Sequence, residues 1–83
     1  MKKYSVDVWD IEWFDEETGR RLVCPENLPS SVDGIILTVD DGFDVDDDPA
    51  VVKAVSDELK KTYEDRYTVL ECTYEELVEI KED

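Results

Sequence analysis

Carboxylates are the side chains in this sequence most able to do chemistry. Six aspartates fall between Asp40 and Asp48, and Asp44, Asp46 and Asp48 alternate as the first ligands of an EF-hand loop do. The later ligands are missing. Counted from Asp44, the sixth position is Pro49 where a glycine makes the turn, and the twelfth is Val55 where a bidentate glutamate is needed. Counted from Asp40, the third position is Gly42. No metal is therefore expected, a weak hard-cation site on the six carboxylates being the alternative. Cys24 and Cys72 stand far apart in a chain without histidine, so neither a zinc site nor a thiol–base pair can be assembled. Both are expected as reduced thiols; a disulfide is the alternative if neighbouring strands bring their Cα atoms within about 7 Å. Carboxylate pairs are too numerous to single out an acid and a base, and three glycines make no phosphate-binding loop. The expectation is a protein that is not an enzyme and holds no cofactor.

Another group of residues able to make strong contacts lies near the N-terminus. Tyr4, Val6 and Val8 are apolar at even positions, and Trp9, Ile11 and Trp13 at odd ones. A period of two marks a strand, and a one-residue slip that keeps the apolar side inward is what a β-bulge does. Ser5, Asp7, Asp10 and Glu12 then share the opposite face. The aromatics are expected in the core, because a small domain needs large side chains to bury enough area. Trp9 and Phe14 sit where the alternation is ambiguous, and either is a candidate to stay on the acidic face and anchor a basic partner.

The elements that must position these groups follow from the rest of the pattern. Asp15 to Gly19 reads as a turn and Arg20 to Cys24 as the returning strand of a hairpin, closed by Cys24-Pro25. Residues 25–33 read as a loop. Gly34 to Val39 is a short apolar run that fits a central strand buried on both faces. Asp48-Pro49 is a helix start with Asp48 as the N-cap, and Val52, Val55, Leu59 and Tyr63 make one apolar stripe on a helix from about Pro49 to Tyr63. Tyr67 to Cys72 is a last strand. Thr73-Tyr74-Glu75-Glu76 resembles a capping box, which predicts a short C-terminal helix, with a strand continuing to Ile80 as the alternative. The order β-β-β-α-β describes an α+β fold: a small, largely antiparallel sheet with one amphipathic helix on one face. At 83 residues this is a single domain over 1–83.

The charge is uneven. Asp and Glu number 24 against nine Lys and Arg, a net charge of −15. Residues 34–48 hold six acids and no base, whereas 49–66 hold four of each; the helix is neutral, and Asp57 and Lys61 are spaced to pair on it. The excess lies on the first hairpin, the aspartate loop and the C-terminus. Such a field repels nucleic acid and anionic lipid, so no direct nucleic-acid or membrane partner is expected, and a basic protein partner is. The candidate partner-binding residues are Asp7, Asp10 and Glu12 on the hairpin, with Asp40, Asp41, Asp44 and Asp46 in the loop. Carboxylates two residues apart on a strand lie about 6.6 Å apart, the order of the spacing between backbone phosphates.

In size and acidity the chain resembles the small phage-borne inhibitors of host defence, among them anti-CRISPR proteins and DNA mimics. The resemblance implies an inhibitor that occupies the nucleic-acid channel of a basic nucleic-acid-binding protein, a Cas effector or another defence nuclease, in the host cytoplasm. The alternative is a small housekeeping or accessory interaction domain whose acidity serves solubility and steering. The N-terminus lacks the apolar stretch of a signal peptide, and no window has the roughly 18 apolar residues of a membrane span. A cytoplasmic location is expected.

Overall fold

The computed structural model describes residues 1–22 and 25–81. In chain order the elements are β1 (Lys2–Asp15), β2 (Arg20–Leu22), β3 (Val32–Val39), α1 (Asp48–Thr62), β4 (Tyr67–Tyr74) and β5 (Val78–Ile80). They form the expected α+β domain, a five-stranded antiparallel sheet with one helix packed against it. Every strand pairs with β1. On one edge of β1 lie β2, opposite Trp13–Asp15, and β3, opposite Lys2–Val8; on the other lie β4, opposite Val8–Asp15, and β5, opposite Lys3–Ser5. A 14-residue strand is about 46 Å long, which accounts for the 42 Å long axis of the molecule. Because β3 and β4 both run antiparallel to β1, they are parallel to each other, and such a pair needs a crossover. The helix supplies it.

Alternation sets the core. Tyr4, Val6 and Val8 of β1 are buried, then Ile11 and Trp13, so the inward side changes parity as the sequence predicts. Ile35, Leu37 and Val39 of β3 and Tyr67, Val69 and Cys72 of β4 complete the sheet's inner face, against Val51, Val55 and Leu59 of α1. The Trp13 ring lies edge-on to Tyr63 and Tyr67, with centroids 6.0 and 6.5 Å away. Its indole Nε1–H donates to the Pro29 carbonyl at 2.8 Å, which satisfies the one polar atom of a buried tryptophan. Among the described residues, none pairs as a strand with residues 9–12 of β1 between β2 and β3. The 25–31 loop fills that gap: Leu28 is buried and the Ile11 amide donates to the Ser30 carbonyl at 3.1 Å.

Several expectations are corrected. Gly34 to Val39 is not a central strand buried on both faces. It flanks β1 and alternates, with Ile36 41% exposed, because α1 covers only one side of the sheet. The helix starts one residue earlier than expected, with Asp47 as N-cap making no side-chain cap bond. Asp48 is inside the first turn, and its carboxylate accepts the Tyr74 hydroxyl instead. The buried stripe runs through Val51, Val55 and Leu59 rather than Val52 and Tyr63, which are half-buried. Lys61 pairs with Glu58 at 3.3 Å, not with Asp57. Residues 73–80 do not form the expected short helix. The strand continues through Tyr74, pauses at 75–77, and resumes as β5 opposite Lys3–Ser5, because pairing with β1 outweighs the local capping pattern. The second strand is described to Leu22; the expected closure at Cys24 and any bridge from it lie outside the described residues.

Candidate protein-interaction surface

The face of the sheet turned away from α1 carries the hairpin carboxylates, and a double irregularity organises it. Between Trp9/Thr73 and Glu12/Glu71, β1 has one more residue than β4; between Glu12/Glu71 and Trp13/Val69 the excess falls on β4. The two bulges compensate, so register is recovered on either side. Asp10 absorbs the first with φ +52°, the left-handed region that Asp tolerates better than most non-glycine residues. Trp9 is consequently turned out, 36% exposed, beside the exposed Asp10. Leu70, the extra residue of β4, is also exposed.

The same irregularity puts Glu12 directly opposite Glu71. Facing residues on antiparallel strands have Cβ atoms about 4.5–5.5 Å apart, where like charges are destabilising. Among the described residues, neither glutamate forms an ion pair with a lysine or arginine; the pairs there include Met1–Asp41, Lys2–Glu79, Lys60–Glu16, Lys61–Glu58, Arg66–Asp15 and Arg66–Glu17. Trp9, Asp10, Glu12 and Glu71 thus form an aromatic surface flanked by carboxylates. A guanidinium fits it, since it stacks on aromatic faces and bridges carboxylates with paired N–H donors. Glu71 was absent from the sequence-level set. The acidic strand residue was visible, but its facing partner depends on a bulge register that local pattern does not encode.

Asp7 is placed differently. Its Oδ1 accepts the Gly34 amide at 2.7 Å, where β3 meets β1 beside the Val6/Val8 register shift and Gly34 has φ +69°. That bond gives Asp7 a structural role in fixing the start of β3.

The aspartate loop packs on the helix side of the sheet, away from Glu12. Its alternation explains its composition: Phe43 and Val45 turn in and are half-buried, with the Phe43 ring 6.3 Å from Tyr4, while Asp44 and Asp46 stay exposed. Asp44 Oδ1 accepts the Asp46 amide at 2.9 Å, and the Asp40 and Asp44 carbonyls accept the Phe43 and Asp47 amides. Asp41 pairs with the N-terminal ammonium at 3.2 Å. Asp46 and Asp48 face Glu75 and Glu76 across a 340 Å³ cleft also lined by Val45, Tyr74 and Leu77. The hydrogen bond to Asp48 pushes the Tyr74 hydroxyl up to about 12, with burial adding to the effect. Among the described residues, no cluster of three or more acids or cysteines is arranged to hold a metal ion.

The sequence-predicted set therefore does not form one patch. Asp10 and Glu12 join Glu71 on the open face, Asp44 and Asp46 belong to the helix side with Glu75 and Glu76, Asp40 and Asp41 sit at the loop's start, and Asp7 is tied to β3. A 610 Å³ groove between α1 and β4 is lined by none of the sequence-predicted carboxylates, although Glu71 borders it, and it mixes Lys53 and Lys60 with acids. The Cys72 thiol is buried, and burial pushes it up to about 11, so it stays protonated and unreactive near neutrality. Among the described residues, no helix is long and apolar enough to cross a membrane. Comparison with known protein families, with curated proteins and with solved structures finds no match to this chain.

Proposed function

We propose that this protein is an acidic inhibitor that binds a basic, nucleic-acid-binding protein, presenting carboxylates where that protein expects phosphates. It is read here as a DNA mimic of the anti-CRISPR or wider anti-defence type, acting in the cytoplasm on a Cas effector or another defence nuclease. The observation that carries the reading is the Glu12–Glu71 pair beside exposed Trp9. Two carboxylates held face to face weaken the free domain, and a cationic partner removes that penalty on binding.

The test is capture from a lysate on immobilised protein, with the retained proteins identified. Wild type is expected to hold a basic nucleic-acid-binding protein that added duplex DNA releases. Asp10→Lys/Glu12→Lys/Glu71→Lys is expected to hold none, and Asp40→Lys/Asp41→Lys/Asp44→Lys to behave as wild type. Loss with the loop set alone moves the site to the helix side. Retention by both sets, unaffected by DNA, rejects mimicry.

A further inference from the structure

Four strands flank β1, and each leaves an outer edge whose backbone groups can template another strand. They are not equally able to meet their own copy. Self-pairing of β2 would set Arg20 and Arg21 against themselves, and β5 has Glu79 at the centre of its three residues. β4 carries Glu71 and a bulge, and its Val69 amide is already taken by Ser56 Oγ of α1 at 3.0 Å. In β3, by contrast, Gly34 to Val39 contains no charge and no proline, and it pairs with β1 without a register shift from Val39 to Ile35.

We propose that the free edge of β3 pairs antiparallel with β3 of a second copy about a two-fold axis, joining the two sheets into one. Charge selects this occupant. A chain of net charge −15 meets its own copy with least repulsion along an uncharged strand, whereas a basic partner finds in Gly34–Val39 no carboxylate to pair with. Ile36, 41% exposed on the open face in the row Ile36–Ser5–Val78, gains an apolar neighbour from the second copy. Asp33 and Asp40 bracket the strand, and antiparallel alignment brings each near the other's counterpart, which confines the pairing to the uncharged segment. The contact is short, so single and paired chains are in equilibrium, and salt favours the pair by screening the flanking aspartates.

Sedimentation equilibrium of the full chain tests this, up to about 1 mM protein and at about 0.02 and 0.5 M NaCl. The expected result is a shift from one chain towards two as concentration and salt rise. Ile36→Lys/Thr38→Lys, which places lysines next to their own copies across the new pair, is expected to remain a single chain throughout. Thr73→Lys/Val78→Lys adds the same charge at exposed positions on the opposite edge and is expected to pair like wild type. Wild type that stays single at every concentration overturns the proposal, as does pairing by the β3 variant. Loss of pairing in both variants also overturns it, since that result means the open faces stack and the edges do not join.

Discussion

Asp15 shows how much of the structure rests on single side chains. It ends β1 and is 4% exposed, and Arg66 grips it with two bonds, Nε to Oδ1 at 3.1 Å and Nη2 to Oδ2 at 2.6 Å. Oδ1 also accepts the Glu17 and Thr18 amides of the hairpin turn. One carboxylate therefore joins the turn to the start of β4, and the bonds to Arg66 hold its pKa below the ordinary 3.8. A lowered carboxylate pKa contributes stability that is complete above the unfolded value and disappears as the pH falls through the folded one. Asp15→Asn is thus expected to lower the melting temperature at neutral pH. It should also flatten the acid limb of a plot of melting temperature against pH, the gap from wild type closing below the ordinary carboxylate range. A constant gap down to the lowest pH would place the loss elsewhere. The turn at Asp15 was legible from Asp-Glu-Glu-Thr-Gly. The ion pair to Arg66 was not, because no local pattern links residues that far apart in sequence.

At the scale of elements, period-two alternation in β1 and the stripe in α1 could be read directly, because each buries one side against the same core. Misreadings occurred where pairing decided. Ile35-Ile36-Leu37 has the composition of a doubly buried strand, yet β3 has β1 on one edge only and an open face. Thr73-Tyr74-Glu75-Glu76 has the pattern of a helix start, yet β1 offers Lys3–Ser5 as a template for β5. The Glu12–Glu71 facing pair belongs to this scale too, since it exists only when both bulges are in place. Glu71→Gln is expected to stabilise the free domain by roughly 0.2–1 kcal/mol in denaturant titration while weakening capture of the basic partner. Opposite signs for stability and binding are what a carboxylate kept for recognition produces. If Glu71→Gln destabilises the domain, the pair is no source of repulsion and the argument for the site fails.

For the whole molecule, the sequence showed the excess of acid but not its division between two sides of the sheet. Separation follows from topology: α1 and the aspartate loop cover one face, and the bulged centre of β1 and β4 opens on the other. With 24 acids on 83 residues, self-repulsion opposes the compact state. Salt is therefore expected to raise the melting temperature by screening, even in dilute protein where single chains prevail; calorimetry at several protein concentrations separates this from any gain through pairing. An unchanged melting temperature from low to moderate salt would mean that the charges are too dispersed to repel.

The central claim is that the open face occupies a nucleic-acid site. Its most direct test is competition at equilibrium: a labelled DNA duplex is bound to the captured basic partner, and this protein is titrated in while polarisation is read. The expected result is complete release of the duplex by wild type, with Asp10→Lys/Glu12→Lys/Glu71→Lys releasing none at the same concentrations. A duplex that stays bound while the protein also binds, forming a ternary complex, would contradict the account.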